Sequence, residues 1–233
     1  GSGLILCHGE FGRRLTDHAT RFGLDFEVLE GAWGSAFTEA EVAAALARGP
    51  RKSWLWAVHA ETSTGVLTDT AMLKRLARDN GVRLCLDCVS SLGIVEVDLR
   101  GVALASGVSG KGLASMAGLA LVFHDGNLAP TQRPLPRYLD LNLYTSPEPP
   151  FTLPSNLVQA LQIALEQLDI DARAAAIRDT AAWLDGALRG IGLPPLAQPS
   201  ARFPGVFTVP LPQGVDALAV GDALEQRDRK SVV

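Results

Sequence analysis

The sequence predicts a three-layer α/β fold with a mainly parallel sheet, followed by the start of a small α+β unit. Three observations lead there. Short apolar runs alternate with amphipathic stretches, the pattern of parallel strands covered by helices. Helix start and stop signals fall between those runs. Finally, 47% hydrophobic and 20% charged residues in a chain of 233 suffice for one large core.

Six runs read as strands: LILC (4–7), FEVL (26–29), WLWAVH (54–59), RLCLD (83–87), VALAS (102–106) and LALVF (119–123). Thr38 with Glu41 three residues on forms a capping box that opens a helix through about Ala47. TAMLKRLARDNG (70–81) carries its basic residues late and ends on Gly81, so it is the helix between two buried strands. From Arg133 to Pro154 six prolines break all periodicity, which predicts a long irregular crossing. Helices over about 155–168 and 171–189, a strand VFTV (206–209) and a helix over 215–227 follow. A lone strand and helix cannot bury both faces, so we divide the chain into a large domain, 1–155, and connecting helices with an incomplete small domain, 156–233.

Composition excludes several function classes. A net charge of −4, with no Lys/Arg cluster interleaved with aromatics, gives nucleic-acid binding no support. The longest apolar stretch, LASMAGLALVF, is too short to cross a bilayer, and GSGLIL lacks the basic start of a secretory signal. Three cysteines argue against a disulfide framework and for a reducing compartment, so the chain is expected to be cytoplasmic. Cys85 and Cys88 have C-x-x-C spacing, yet no second pair exists to complete a zinc site.

One stretch calls for chemistry. ASGVSGKGLAS (105–115) places a single charge, Lys111, among small and apolar neighbours. A phosphate loop would need glycine where Ala105 stands and a hydroxyl where Gly112 stands, and would have to open a helix. The other chemical reading is a Schiff-base lysine, an amine that an aldehyde can reach between small neighbours. Pyridoxal chemistry also needs an acid to keep the ring nitrogen protonated. Asp87, closing strand RLCLD, is well placed, because ligands bind at the carboxyl ends of parallel strands. Blander roles exist for each residue. Lys111 could be a solvated loop charge, Asp87 a turn cap, Thr62 to Thr64 a strand-to-turn connection, and His59 a hydrogen-bonded core residue.

HAETSTGVLTD (59–69), LDCVSSLG (86–93) and SGVSGKGL (106–113) occur in the order seen in class V aminotransferases of the fold type I pyridoxal-phosphate superfamily, and most resemble its alanine–glyoxylate and serine–pyruvate branch. HGEFGRRLTDHATRFG (8–23), PRYLDL (136–141) and PFTLPS (150–155) extend the resemblance to roughly residues 4–170. It implies pyridoxal 5′-phosphate as cofactor and amino transfer between a small amino acid and a 2-oxo acid such as glyoxylate or pyruvate. It makes Lys111 the imine-forming lysine, Asp87 the partner of the pyridine nitrogen and Val89 a residue on the ring face. Thr62 would bond near the phenolic oxygen. Thr152 would reach the phosphate in a neighbouring subunit, hence a homodimer. Gly110 stands where the family usually has glutamine. The family's phosphate turn, stacking aromatic and carboxylate-binding arginine are expected outside these 233 residues, as in a chain cut at both ends. The alternatives are a non-catalytic chain keeping the fold, and a lyase or desulfurase of the same fold.

Overall fold

The computed structural model describes residues 1–128, 135–146, 148 and 150–227. Parts of the proline-rich crossing and the last six residues lie outside these. Each of the six apolar runs gives a strand, all but one close to the predicted bounds: β1 (Gly3–Cys7), β2 (Phe26–Glu30), β3 (Trp54–Val58), β6 (Arg83–Asp87), β7 (Leu104–Val108) and β8 (Ala120–His124). Two further two-residue strands, β4 (Ala60–Glu61) and β5 (Val66–Leu67), make a small antiparallel hairpin around the turn TSTG. The main sheet has the order β2-β1-β3-β6-β7-β8, parallel throughout except for β8, which runs antiparallel to β7.

Both faces begin with strand alternation. Leu4 and Leu6 of β1, Leu55 of β3 and Leu84 and Leu86 of β6 point to one side, where they pack on α2 (Glu39–Ala47) and α3 (Thr70–Asn80) through Val42, Leu46, Leu73 and Leu76. The predicted capping box of α2 and glycine stop of α3 are present, and Asp69 adds an N-cap to α3 that was not predicted. Thr38 and Glu41 bond reciprocally at the start of α2, Asp69 accepts the Met72 amide at the start of α3, and Gly81 ends α3 with φ +63°. Ile5 and Val58 point to the other side and meet Leu15 and Ala19 of α1 (Glu10–Arg21). Over β3, β6, β7 and β8 this second side carries a cavity of about 510 Å³, lined by Trp54, Trp56, Cys85, Ser106 and Val122 among others.

Two expectations need correction. The strand placed at 102–106 forms two residues later, because Val102 closes a turn onto the Leu99 carbonyl and Ala103 makes the first contact with β6, to Leu84 O. The segment 206–209 is not a strand. Its Thr208 hydroxyl instead donates to the carbonyls of Thr62 (3.4 Å) and Ser63 (3.2 Å), while the Thr208 carbonyl accepts the Leu196 amide. The two-residue hairpin offers turn carbonyls and no ladder long enough to pair. The C-terminal helices form as α4 (Ser155–Glu166), α5 (Ile170–Gly190) and α6 (Ala217–Arg227), none with a fully buried residue. Among the described residues no helix is long and apolar enough to cross a membrane.

Candidate active site at the carboxyl ends of β6 and β7

Asp87 is the last residue of β6. Leu84 and Leu86 commit one face of that strand to the α2–α3 core, so Cys85 and Asp87 fall on the α1 side. The Asp87 carboxylate uses Oδ1 to accept the Val89 amide (2.9 Å) and the hydroxyl of Ser106 (3.4 Å), its register partner on β7. Among the described residues Oδ2 has no donor, so this oxygen is free for a ligand.

Lys111 stands three residues beyond β7. Its Nζ donates to Ser90 Oγ at 3.0 Å and lies 5.5 Å from the centroid of the half-buried Phe11 ring on α1. The loops after β6 and β7 are thus brought together, and the amine itself remains exposed. The loop that carries it is held by its backbone. Ser109 donates to Met116 O (2.6 Å) and accepts the Leu119 amide (3.2 Å), and Ala114 takes a left-handed φ of 55°. Arg173, in the first turn of α5, donates to Gly112 O at 2.5 Å.

Glycines let these loops touch. A Cβ on Gly112 would lie 2.3 Å from Leu92 O, and one on Gly93 would lie 2.4 Å from Gly112 O. At Gly110 a Cβ would stand 2.7 Å from both Cα and Cβ of Ala117, which gives a steric reason for the departure from glutamine.

The remaining expected residues are less tightly joined. Val89 is half-buried beside Asp87. Thr62, also half-buried, lies in the turn between β4 and β5. Thr152 is exposed in the segment leading into α4. Among the described residues no hydrogen bond ties Thr62 or Thr152 to Asp87 or Lys111. His59 is a buried core histidine, with Nδ1 2.8 Å from Ser91 Oγ, and burial pushes its pKa down to about 4. Burial raises the thiols of Cys85 to about 11 and Cys88 to about 12. Cys85 lines the cavity while Cys88 joins the core, so the two do not converge.

Sequence reasoning missed Phe11, Ser90, Ser106 and Glu61. Phe11 and Glu61 sit in quoted motifs, GEFGRR and HAETSTG, but their pairing spans about fifty residues and leaves no local signal.

A carboxylate closing one parallel strand and a lysine in the loop after the next, in a sheet with helices on both faces, is the arrangement the fold type I resemblance implies. No protein-family model matches the chain. It is 31% identical, over 96% of its length, to a protein from Synechococcus sp. described as a soluble hydrogenase small subunit, of which it spans 62%. It is 27% identical, over 91% of its length, to 2-aminoethylphosphonate–pyruvate transaminase from Pseudomonas putida, of which it spans 61%. Among solved structures it superposes on alanine–glyoxylate aminotransferase from Nostoc sp. with a TM-score of 0.89 at 33% identity, covering 97% of this chain and 64% of that one. Aspartate aminotransferase from Thermus thermophilus gives 0.84 at 30% identity, with 96% and 65% covered. By sequence and by architecture the chain is a homologue of the class V aminotransferases. It spans less than two thirds of the length of these relatives.

Proposed function

We propose that the chain carries the lysine and acid of a pyridoxal-phosphate-dependent aminotransferase that moves an amino group between a small amino acid and a 2-oxo acid such as glyoxylate or pyruvate. The observation that carries the reading is the pairing of the two strand ends. Asp87 presents a free carboxylate oxygen, and Lys111 presents an exposed amine beside an aromatic ring, both on the α1 side of the sheet.

The residues fit the cofactor. Gly93 and Gly112 let the two loops close on each other, so the amine stays beside Ser90, and among the described residues Asp87 Oδ2 has no donor. When bound, pyridoxal phosphate supplies an electron sink for the substrate's α-carbon. Asp87 would hold the proton at the pyridine nitrogen, since its negative charge favours the protonated ring. Val89 and Phe11 would pack against the ring faces, so the aromatic expected outside the chain has a candidate within it. Thr62 would donate to the phenolic oxygen. Lys111 would carry the cofactor through its amine and, once displaced by substrate, move the proton between substrate carbon and cofactor carbon. Ser90 would hold the lysine's Nζ in the interval.

The resemblance implies a homodimer in which Thr152, exposed ahead of α4, reaches the partner's phosphate. We also propose that the domains divide near residue 155 and that the enzyme is cytoplasmic, as three unpaired cysteines suggest. Reduction with borohydride after mixing with pyridoxal phosphate tests the assignment. Peptide mapping should find the label on Lys111, and label on another lysine removes it. Amino transfer from alanine or serine to glyoxylate or pyruvate, measured on a version extended at both ends beside this chain, then separates a transaminase from a chain that keeps the fold without activity.

A further inference from the structure

Near the site, the side chain with the most hydrogen bonds is one to which no role has been given. Glu61, at the end of β4, is fully buried, and both of its oxygens are occupied. Oε1 accepts the Phe11 amide (3.3 Å), the Ser63 amide (3.3 Å) and the Ser63 hydroxyl (2.5 Å), while Oε2 accepts the Gly12 amide (2.9 Å). Ser63 Oγ, having donated to Glu61, accepts the Glu10 amide at 2.9 Å.

The first three amides of α1 are therefore satisfied by two side chains from a turn about fifty residues further along. The helix's own N-cap is Gly9, which has no side chain to offer, and no larger residue fits there. A Cβ on Gly9 would lie 2.4 Å from Glu61 Cδ and 2.6 Å from Ser63 Oγ. A carboxylate on helix N-terminal amides is favoured by charge-assisted bonding and by the helix dipole. Removing one acceptor would leave buried donors unpaired.

Two consequences meet in this cluster. Phe11, whose amide Glu61 holds, carries the ring that faces Lys111 Nζ. Thr62 lies between Glu61 and Ser63, so the turn bearing it is fixed on both sides. We propose that Glu61 is a positioning residue: its carboxylate sets where α1 begins, and thereby holds the Phe11 ring against Lys111 and the Thr62 turn in register with both. The idea deepens the aminotransferase reading, and its role in catalysis rests on that reading, but the clamp itself can be tested without the cofactor.

Glu61→Gln keeps the size and turns an acceptor into an N–H that faces other N–H groups. In cofactor-free protein, amide hydrogen exchange at residues 10–12 should speed up at least about tenfold, the equivalent of about 1.4 kcal/mol. Lys111 should also react faster with formaldehyde and borohydride at fixed pH, by about two- to fivefold, because an exposed cation–ring contact of this kind is worth about 0.5–1 kcal/mol. Phe11→Leu should reproduce the labelling change and leave exchange at 10–12 unaltered. The double variant should label no faster than Phe11→Leu alone. Unchanged exchange in Glu61→Gln overturns the clamp. Additive labelling rates in the double variant overturn the positioning role, since a merely structural Glu61 would act independently of the ring. Failure of pyridoxal phosphate to bind the wild-type protein would count against the aminotransferase reading and leave both of these results standing.

Discussion

Replacing Gly93 by alanine should be among the most damaging small changes to this protein, and the cost can be worked from two sources. Gly93 is buried at φ +81°, a conformation that costs an L-residue about 1–2 kcal/mol. The added Cβ would stand 2.4 Å from Gly112 O, 2.5 Å from Gly112 C and 2.9 Å from Leu113 N. All three are backbone atoms of the Lys111 loop, so no rotamer change relieves the contact, and overpacking of this kind costs about 1–3 kcal/mol. The sum is about 2–5 kcal/mol, a fall in Tm of about 4–20 °C for a domain of this size. Gly101→Ala is the control. It shares the left-handed backbone, φ +80°, but its nearest neighbour would be Lys74 Cδ at 3.9 Å, so it pays strain alone. Thermal and urea melts of both variants isolate the contact as the difference between them. Equal destabilisation would refute the back-to-back packing of the two loops.

His59 is held neutral by burial at a pKa of about 4, against 6.5 for the free side chain. The unfolded state therefore binds the proton first, so stability present above about pH 6.5 is lost as pH falls towards 4. Between pH 7.5 and 5.5 the loss is about 1.3 kcal/mol. His8 is also buried and shifted downward, and adds in the same direction. Urea midpoints against pH should slope less steeply in His59→Asn than in the wild type, and parallel slopes would contradict the assignment. Asp87→Asn nearly matches the wild type in shape and keeps an oxygen for the Val89 amide, but it lacks the charge proposed to hold the ring proton. In a form extended to the length of the relatives, transamination should fall by about 100-fold or more while Tm moves little. Unchanged turnover with a collapsed melting point would make Asp87 structural.

What was legible in the sequence was local. Alternation and apolar runs find all six strands of the main sheet, β7 with a two-residue offset, and local signals mark α2 and the end of α3, because Thr38 with Glu41, and Gly81, each lie within or next to one element. The missing signals were distant. Helix α1 begins at a glycine with no side-chain cap of its own, since its amides are held by Glu61 and Ser63, and nothing near Gly9 announces them. The same distance hid Phe11, whose meeting with Lys111 depends on how α1 docks. Segment 206–209 has the β-branched and aromatic residues of a strand, but pairing needs a partner edge, and the turn at Thr62 and Ser63 engages a hydroxyl instead.

The placement of Asp87 and Lys111 follows from parity. Leu84 and Leu86 are buried against α2 and α3, so the odd positions of β6 must face α1, and Asp87 inherits that face together with Cys85. The register then fixes β7. Pairing Asp87 with Ser106 puts a hydroxyl on the same side and leaves five residues from Ser106 to Lys111. Beyond Val108 the chain cannot continue outward. Strand β8 returns antiparallel, with Val108 paired to Ala120, so residues 109–119 must turn back over the strand ends. Gly93 and Gly112 then decide how closely that turn approaches the loop after Asp87, which brings Lys111 Nζ to Ser90. A slip of one residue in β6 would drive the Asp87 carboxylate into the α2–α3 core and expose a leucine in its place. The apolar pattern that specifies the sheet therefore also specifies which side carries the chemistry, and only the closeness of the two loops is left to the glycines.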